Sequence, residues 1–510
     1  MGSTAPRVIR LAPGDNVVIA CDALEQGAEV TGEGITCRQT IPAGHKLATQ
    51  PIDAGQPVFK YGQIIGSATA GIDSGEHVHT HNMGMALIQQ YATAETADIE
   101  PAAILPVEEQ ARFQGIVRSD GQIATRNYIG VLATSACSAS VARYVADAFD
   151  EQRLKPYPRV DGVVALAHGS GCGMPGHGDG FEILQRTLCG WARHPNFAGI
   201  LLVGLGCEIN QLDGLMGQIN PGGGKPVTGV NIQELGGTRK TVAQGVAAVS
   251  GMLAAANGIR RVPLPASHLV VGLECGGSDG YSGITANPAL GVASDLLVRN
   301  GATVILSELP EIYGAEHLLI RRARSRAVAD RLVERIRWWE AYTAQNGAEL
   351  NNNPSPGNQA GGLTTILEKS LGAVAKAGST PLMDVAGFGE KVTAKGLVFM
   401  DTPGYDVVSV TGMIAGGAHM ICFTTGRGSV FGSKPVPTLK LASNTAMYRR
   451  LADDMDINCG GIVDGDASLA DVGQRIFKAI LEAAGGQQTR SEALGFGDAE
   501  FVPWQLGATL

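Results

Sequence analysis

The sequence predicts a multidomain α/β protein, and three observations support this fold class. The chain has 510 residues, which is too long for one compact hydrophobic core. Its first part, residues 1–92, contains short β-type runs separated by turn residues. From about residue 113, continuous apolar runs alternate with helical patterns, an order typical of parallel sheets covered by helices.

Residues 1–92 are predicted to form a small all-β module. Its β-type runs are bounded by Gly, Asp and Pro and lie at 17–20, 57–61 and 64–66. The segment that follows, 93–112, is rich in Ala, Glu and Pro and shows no apolar periodicity. This composition indicates a linker.

Residues 113–380 are predicted to form a central domain built on a parallel sheet. Its continuous apolar runs have the length of buried parallel strands and lie at 162–166, 199–203, 269–273 and 302–306. Asn287 as N-cap and Pro288 at the first helical position predict a helix that ends near Asn300. A longer amphipathic helix is predicted at 314–344.

Residues 381–510 are predicted to form a third, Rossmann-like domain. Two further strand patterns, at 396–400 and 419–423, alternate with helical patterns in this part of the chain. The complete prediction is therefore an all-β module, a linker and two α/β domains.

Charge and composition exclude several classes of function. The formal net charge is −9, and the basic run at 321–326 has a helical pattern with acidic residues nearby, so we expect no nucleic-acid partner. No stretch approaches roughly 20 uninterrupted apolar residues, so we expect no membrane association. The N-terminus lacks the apolar core of a secretory signal, which favours a cytoplasmic location.

A nucleotide cofactor is also not expected. The pattern Gly-x-Gly-x-x-Gly at 171–176 contains a proline inside the turn, and no acidic residue follows about 20 positions later. No Gly-x-x-x-x-Gly-Lys-Ser/Thr motif is present in the sequence.

Four cysteines are candidate metal ligands because each follows an apolar run and lies in or next to a turn. They are Cys137, Cys172, Cys207 and Cys275. The carboxyl ends of parallel strands meet at one edge of a sheet, so these thiols could bind iron or an iron–sulfur cluster. The alternative is that each is a small, buried residue near a tight turn, since none belongs to a Cys-x-x-Cys pair.

Three histidines alternate along the end of the first module. On a strand, His77, His79 and His81 would share one face, where they could act as acids and bases or hold a divalent metal. The alternative is a polar edge strand or an incidental His-rich turn. We assign all three as candidate catalytic residues.

The segment 276–288 combines glycines, hydroxyl groups, an aspartate and a helix N-terminus. Such a segment can bind an anion and several hydroxyl groups, as a sugar acid presents them; the alternative is a plain turn between strand and helix. Its candidate substrate-binding residues are Ser278, Asp279, Thr285 and Asn287.

Three residues outside this segment are further candidates. Arg427, in a strand-to-glycine turn, could clamp a carboxylate, or it is a surface arginine. Lys369 could act as a base or a charge clamp, or it lies on a solvated helix. Asn358, at the end of an Asn/Pro/Gly-rich loop, is a candidate substrate-binding residue.

These motifs resemble the altronate/galactarate dehydratase family, which also includes the sulfolactate sulfo-lyases. The matching stretches cover nearly the full chain and lie at 14–17, 60–62, 77–82, 204–208, 272–288, 353–358 and 425–428. The resemblance implies an N-terminal SAF-type (β-clip) module, a central metal-binding catalytic domain at 113–380 and a Rossmann-like third domain. It also implies dependence on ferrous iron and loss of water from a sugar acid.

The resulting hypothesis is a hydro-lyase that converts D-altronate to 2-keto-3-deoxy-gluconate. The segment 77–82 and the pair Glu274–Cys275 resemble altronate dehydratases more closely than galactarate dehydratases. Iron, as Fe²⁺ or an iron–sulfur cluster, would be held by the four cysteines, and the histidine strand would cover the site as a lid. The alternatives are a galactarate dehydratase, a related dehydratase or sulfo-lyase, and a non-catalytic sugar-acid-binding protein. We also expect a homo-oligomer, although no residue pattern specifies one.

Overall fold

The structure, a computed structural model, describes residues 7–86, 99–219 and 224–507. Within these ranges it is an α/β protein with two parallel sheets and an all-β N-terminal part. None of the helices in the described ranges combines the length and the hydropathy that crossing a lipid bilayer requires.

Residues 7–86 form the predicted all-β module, and every strand pair in it is antiparallel. Its strands are β1 (Val8–Ile9), β2 (Val17–Ala20), β3 (Glu29–Val30), β4 (Ile35–Thr36), β5 (Lys46–Ala48), β6 (Pro57–Lys60), β7 (Gln63–Ala68), β8 (His77–Val78) and β9 (Met83–Gly84). They form sheets of order β1-β2-β5-β8 and β6-β7-β9, with β3-β4 as a separate pair.

The middle of the chain forms a four-stranded parallel sheet with the order β13-β12-β14-β15. Its strands are β12 (Tyr128–Ala133), β13 (Gly162–Leu166), β14 (Phe197–Gly204) and β15 (Val227–Asn231). The helices of this part are α1 (Ala139–Asp147), α2 (Glu151–Leu154), α3 (Asp179–Arg193), α4 (Leu212–Ile219) and α5 (Thr238–Gly258). A small antiparallel sheet combines β10 (Arg112–Val117), β11 (Ile123–Ala124) and β16 (Arg261–Pro265).

The last part of the chain forms a seven-stranded parallel sheet with the order β19-β20-β18-β17-β21-β22-β23. Its strands are β17 (Val270–Cys275), β18 (Thr303–Leu306), β19 (Leu382–Ala386), β20 (Gly396–Met400), β21 (Met420–Thr425), β22 (Thr438–Ala442) and β23 (Ile457–Asn458). Its helices are α6 (Ala286–Arg299), α7 (Glu316–Ile320), α8 (Arg326–Gln345), α9 (Pro356–Ala360), α10 (Ile366–Val374), α11 (Asp406–Ala415), α12 (Thr445–Arg450), α13 (Gly461–Asp464), α14 (Leu469–Ala484) and α15 (Arg490–Ala493).

The predicted boundary at residue 380 falls inside this seven-stranded sheet. Strands β17 and β18 precede residue 380, and β18 pairs with β20 in the register Thr303↔Gly396. The parallel sheets instead change between β15 and β17, around the antiparallel strand β16. The apolar runs alone could not show this, because a buried parallel strand reads the same whichever sheet it joins.

Two predicted helices differ in detail from the observed ones. The amphipathic pattern at 314–344 forms two helices, α7 and α8, because the Ser325 side chain caps α8 by accepting from the Val328 N–H. Helix α6 is preceded by Thr285 as its N-cap residue, and Asn287 lies inside the helix. The Asn287 side chain makes other contacts: it donates to the Gly372 carbonyl and accepts from Thr424.

The described part of the predicted linker packs against the end of α6. Residues 93–98 of the predicted 93–112 segment lie outside the described residues. Within the rest, the Leu105 N–H donates to the Arg299 carbonyl at 2.8 Å and the Ala111 N–H donates to Asn300 Oδ1 at 2.7 Å. Residue 112 already belongs to β10.

Strands β17 and β21 are neighbours in the sheet. After β17 the chain continues to β18 on one side, and after β21 it continues to β22 on the other side. The space beyond the carboxyl ends of two such strands is the usual ligand crevice of an open parallel sheet. The turns after β17 and β21 meet there, since the N–H groups of Gly426 and Arg427 both donate to the Gly277 carbonyl, at 3.0 and 2.8 Å. This crevice contains most of the substrate-binding residues that the sequence predicted.

Candidate functional site

Three of the predicted metal-binding cysteines lie together at the carboxyl edge of the four-stranded sheet. Cys137, Cys172 and Cys207 follow the neighbouring strands β12, β13 and β14, and all three are exposed, although cysteine is among the most buried residue types. Partial desolvation, followed by the neighbouring thiols of Cys172 and Cys207, raises the pKa of Cys137. We call these three residues the thiol centre.

Hydrogen bonds between the three cysteine-bearing loops hold them in position. The Ala136 N–H donates to the Ser170 carbonyl at 2.9 Å, and the Asn210 N–H donates to the Gly171 carbonyl at 3.2 Å. The Asn210 side chain donates to the Thr134 carbonyl at 2.8 Å. Because each bond joins two different loops, the relative positions of the three cysteines are fixed by the protein.

The donors of the thiol centre fit a soft transition metal. Its three cysteines form no disulfide, and thiolate is the ligand that iron and iron–sulfur clusters prefer. The Gln233 Nε2 donates to Cys207 Sγ at 3.2 Å, a contact of the kind that tunes a sulfur ligand. Among the described residues, the sets of three ligand atoms that lie within 4.8 Å of one another do not include these sulfurs, so the fit rests on the chemistry of the thiols and on their neighbouring loops.

The fourth predicted ligand, Cys275, is not part of the thiol centre. It ends β17 in the other parallel sheet and is fully buried. Its Sγ lies 2.7 Å from Lys376 Nζ and 2.8 Å from Glu311 Oε2. Burial, followed by the Glu311 carboxylate, raises the pKa of this thiol well above its usual value. The sequence grouped it with the other three because its strand also ends in a glycine-rich turn.

Cys275 belongs to a group of buried charged residues at the carboxyl ends of β17 and β18. Lys369 Nζ donates to Glu311 Oε1 at 2.5 Å and to Asn353 Oδ1 at 2.8 Å. Lys376 Nζ lies 3.5 Å from Glu308 Oε2. Burial alone would lower the pKa of Lys369, but the Glu311 carboxylate raises it, so the ammonium group stays charged.

A cavity of about 290 Å³ opens next to these buried charges. Its polar wall includes Lys369, Glu311, Asp406 and Asn353, and the backbone of Gly276 and Gly277 completes the wall below the end of β17. A pocket of this volume suits a small, polyhydroxylated molecule, and Lys369 supplies a cation for a carboxylate.

The three predicted histidines are brought together with a fourth, His45. The ring centroids of His45 and His77 lie 5.0 Å apart, those of His77 and His79 5.3 Å, and those of His77 and His81 5.5 Å. Only His77 of the predicted three is in a strand, β8; His79 and His81 follow in a turn. We call these four residues the histidine cluster.

Hydrogen bonds indicate which ring nitrogens of the histidine cluster carry protons. His45 Nε2 lies 3.4 Å from the Ala360 carbonyl, so it carries the proton, and His45 Nδ1 then accepts from His77 Nε2 at 2.9 Å. Burial, followed by the other histidines, lowers the pKa of His77 to about 3, and burial, followed by Lys46, lowers that of His79 to about 4. Both imidazoles are therefore neutral at pH 7, the form that accepts a proton.

The β-module is joined to the last part of the chain by a buried ion triad. Lys46 Nζ lies 2.8 Å from Glu368 Oε2, and Lys60 Nζ lies 2.9 Å from Glu368 Oε1. All three side chains are at most 1% exposed. The triad holds β5, which directly follows His45, against α10, which contains Lys369.

The four residues predicted in the segment 276–288 stabilise the crevice from within. Asp279 Oδ1 accepts from Ser282 and Ser443, and Thr285 donates to the Ser443 carbonyl at 2.6 Å. Ser278 offers its carbonyl to the Asn358 side chain at 2.8 Å, and Asn287 is engaged as described above. Their buried polar groups make internal hydrogen bonds, so the observed geometry gives them a role in positioning the turn.

Arg427 and Asn358 differ in how available their polar groups are. Arg427 is exposed, and its side chain passes close to Gly361. A Cβ atom added at Gly361 would lie 3.3 Å from Arg427 Cδ. Asn358 lines the cavity, but its side chain closes a capping box with Ser355 at the start of α9. Arg427 is therefore free to reach a ligand, whereas Asn358 shapes the wall.

Sequence reasoning missed several residues of this region. These are His45, Glu308, Glu311, Lys376 and the ion triad Lys46, Lys60 and Glu368. In the sequence they look like ordinary charged residues, because nothing local indicates that they are buried. One signal was available for His45: the sequence at 41–46 repeats the pattern at 72–77, an apolar residue, a turn, a glycine and polar residues, and the second copy ends in His77.

Three family models together match most of the chain. The altronate/galactarate dehydratase SAF domain matches residues 6–86, the second domain of D-galactarate dehydratase/altronate hydrolase matches 115–257, and the D-galactarate/altronate dehydratase C-terminal domain matches 266–509. The chain belongs to the altronate/galactarate dehydratase family. The boundary between the last two matches, at residues 258–265, coincides with the change from the four-stranded to the seven-stranded parallel sheet.

Relatives in the altronate/galactarate dehydratase family match over almost the whole chain. Altronate dehydratase of Bacillus subtilis (strain 168) is 35% identical over 98% of this chain and 99% of its own length. Altronate dehydratase of Escherichia coli (strain K12) is 35% identical over 97% and 98%. Galactarate dehydratase (L-threo-forming) of the same strain is 36% identical over 94% and 93%.

Proposed function

We propose that this chain dehydrates a sugar acid and that its substrate is D-altronate, which gives 2-keto-3-deoxy-gluconate. Membership of the altronate/galactarate dehydratase family supports hydro-lyase chemistry. The observation that carries the proposal is the cavity at the carboxyl edge of the seven-stranded sheet, with the buried ammonium group of Lys369 in its wall. The choice of altronate rests on the resemblance of the segment 77–82 to altronate dehydratases.

Dehydration of a sugar acid requires loss of the proton next to the carboxylate and departure of the neighbouring hydroxyl group. The first step places negative charge on the substrate carboxylate, and a fixed cation stabilises that charge. Lys369 stays protonated beside Glu311, so we assign it the role of charge clamp, one of the two roles that the sequence predicted.

Proton removal is the role that we assign to the histidine cluster, as the sequence predicted for His77, His79 and His81. The histidine cluster adjoins the cavity through helix α9: Ser355 and Asn358 line the cavity, and the Ala360 carbonyl contacts His45. Since α9 has five residues, it is only about 7.5 Å long. The β-module would thus carry the base to the substrate, in the manner of the lid that the sequence predicted.

Iron at the thiol centre is the cofactor that we propose. When bound by Cys137, Cys172 and Cys207, it would supply a Lewis acid that polarises the substrate and assists the departing hydroxyl group. The C-terminal segment contacts the loop after β13, which carries Cys172, and helix α8: Phe501 packs against His168 with ring centroids 6.0 Å apart, and the Gly507 N–H donates to the Tyr342 hydroxyl at 2.6 Å. None of the three cysteines lines the cavity. Residue 343, next to Tyr342, lines the cavity.

Galactarate is the second candidate substrate. The identity to galactarate dehydratase, 36% over 488 residues, is as high as the identity to the altronate dehydratases. Galactarate has a second carboxylate, which the exposed guanidinium of Arg427 could bind.

The test is an anaerobic assay of the full chain, reconstituted with ferrous salt, on D-altronate, galactarate and (2R)-sulfolactate. We expect a 2-keto-3-deoxy product from D-altronate at the highest kcat/KM. In Cys172→Ser, bound iron and activity should both fall by about tenfold or more, because a protein ligand is lost.

Cys189→Ser is the matched control, since Cys189 is a buried free thiol outside the thiol centre, and it should keep its iron. Equal iron content in Cys172→Ser and Cys189→Ser would refute the assignment of the thiol centre. Binding of altronate without turnover, with iron present, would instead support a non-catalytic sugar-acid-binding protein.

A further inference from the structure

The buried carboxylates beside Cys275 exceed the positive charge available to balance them. Four carboxylates, those of Glu274, Glu308, Glu311 and Asp406, lie at the ends of β17 and β18 and the start of α11. Ligand atoms of Glu274, Glu308 and Asp406 lie within 4.8 Å of one another, and so do those of Cys275, Glu308 and Glu311. Two lysines balance part of this charge: Lys369 pairs with Glu311, and Lys376 pairs with Glu308. If all four carboxylates are ionised, four negative groups and two positive groups leave two negative charges. Burial, followed by the Glu308 carboxylate, raises the pKa of Glu274 well above its usual value, so this carboxylate needs either a cation or a proton.

The unbalanced charge belongs to Glu274 and Asp406. Within the described ranges, neither carboxylate has a Lys, Arg or His within 4.0 Å. Glu274 is fully buried, and burying an unpaired carboxylate is costly unless a cation or a proton compensates it. A compensating group is therefore expected at this position.

Two carboxylate oxygens in the same place are without a hydrogen-bond partner. Ser409 and Ser307 donate to Glu274 Oε2 at 2.8 and 3.4 Å, while Glu274 Oε1 has no partner. Glu308 Oε2 faces Lys376, while Glu308 Oε1 also has no partner. Both residues are fully buried, so these oxygens are hidden from solvent as well. Paired buried oxygens without donors are what an oxygen-liganded cation requires.

We propose that Glu274, Glu308 and Asp406 form a second metal site, separate from the thiol centre, that binds one divalent cation with a preference for oxygen ligands, such as Mg²⁺ or Mn²⁺. A charge of two matches the unbalanced charge, and carboxylates are the ligands that these cations prefer. We call it the carboxylate site.

The carboxylate site is reached from the cavity. Asp406 is half-buried and lines the cavity, whereas Glu274 and Glu308 lie behind it. Asp406 also lies close to Gly276: a Cβ atom at that glycine would come within 2.2 Å of Asp406 Oδ2. Only glycine therefore lets the carboxylate lie against the turn after β17. A role for the cation in holding a hydroxy acid rests on the proposed function, but its binding does not.

The test measures Mn²⁺ binding by the full chain after treatment with a chelator. Free Mn²⁺ gives an electron paramagnetic resonance signal that disappears on binding. We expect one Mn²⁺ per chain, and at least about tenfold weaker binding in Glu308→Gln and in Asp406→Asn, since each loses a charged ligand. Asp406→Asn is the second variant because its half-buried position tolerates change better.

Asp456→Asn is the matched control: its half-buried carboxylate accepts from the N–H groups of Lys440 and Arg490, remote from the carboxylate site in the sheet order. It should bind Mn²⁺ as the unaltered protein does. Three results would overturn the proposal. The first is that no Mn²⁺ binds at about 1 mM, a concentration at which even weak protein sites fill. The second is equal binding in folded Glu308→Gln and Asp456→Asn, and the third is binding that is lost only when the thiol centre is altered. The first would mean that Glu274 and Glu308 share protons instead.

Discussion

At the scale of single residues, the Glu368 carboxylate holds two lysines that would otherwise be buried charges without a partner. We expect Glu368→Gln to lower the free energy of unfolding by about 3–5 kcal/mol, because removal of one member of a buried ion group leaves the others uncompensated. Chemical denaturation followed by circular dichroism measures the change.

The exposed pair Arg326–Asp330 provides the control for this prediction. Its side chains are 74% and 58% exposed, so Asp330→Asn should change the free energy of unfolding by about 0–1 kcal/mol. A loss in Glu368→Gln no larger than that in Asp330→Asn would contradict the stabilising role of the ion triad.

The histidine cluster predicts how stability depends on pH. Burial lowers the pKa of His77 to about 3 and of His79 to about 4, whereas both return toward about 6.5 on unfolding. Between pH 4 and 6.5 the unfolded chain thus binds more protons than the folded chain. The free energy of unfolding should therefore decrease as the pH falls from about 6.5 to 4.

Urea denaturation at several pH values between 4.5 and 7 checks this dependence. The double variant His77→Gln/His79→Gln should show a flatter dependence than the unaltered protein. Thr80→Ser, an exposed neighbour without a titratable group, should keep the original dependence. An unchanged slope in the double variant would show that other groups cause the loss of stability in acid.

At this scale, the sequence could predict which residues lie together only where adjacent parallel strands bring them to the same edge of a sheet. Cys137, Cys172 and Cys207 were predicted together because consecutive parallel strands bring their ends to one edge. Cys275 and Lys369 meet Glu311 and Lys376 through contacts between residues 36 to 101 positions apart, which no periodicity encodes. Lys369 was predicted, but its buried partner Glu311 and the nearby Lys376 were therefore missed.

At the scale of elements, the turn at Gly44 and the segment after β17 touch backbone to backbone. A Cβ atom at Gly280 would come within 1.9 Å of the Gly44 carbonyl oxygen. We expect Gly280→Ala to push the β-module away from the crevice and to destabilise the protein by about 1–3 kcal/mol. Thermal unfolding measures this loss.

The control for this prediction is Gly214→Ala in helix α4, where a Cβ atom would meet no heavy atom within 4 Å. Alanine there should be neutral or stabilise the helix by roughly 0.5–1 kcal/mol. If Gly280→Ala behaves as Gly214→Ala does, the two elements do not pack as tightly as described.

Strands were predictable from the sequence, whereas their partners were not. The apolar runs at 162–166, 199–203, 269–273 and 302–306 correspond closely to β13, β14, β17 and β18. Their division between two sheets depends on pairing with strands that come about 90 residues later, such as β20. The apolar pattern of a strand indicates that the strand is buried, and the strands of both parallel sheets are buried alike, so the pattern does not show which sheet a strand joins.

At the scale of the whole molecule, the β-module is held by side-chain contacts as well as by the chain. Tyr281 donates to the Cys21 carbonyl at 2.8 Å, and Thr365 donates to the Ile65 carbonyl, in addition to the ion triad.

We therefore expect the β-module to stay bound when the connection is cut. A protease site inserted within residues 87–98 and then cleaved should give two fragments that elute together in size-exclusion chromatography at physiological salt. The same cleavage in a Glu368→Gln background should release the module. Separation of the fragments without that substitution would show that the covalent connection alone holds them.

The strand order of the seven-stranded sheet also constrains how the chain is made. Strand β18 ends at residue 306, and its neighbour β20 begins at residue 396, so about 90 residues must be translated before the pair can form. At roughly 5–20 residues per second, this delay is on the order of 5–20 s. Throughout that interval a nascent polypeptide presents an unpaired apolar edge, which is the kind of surface that chaperones protect.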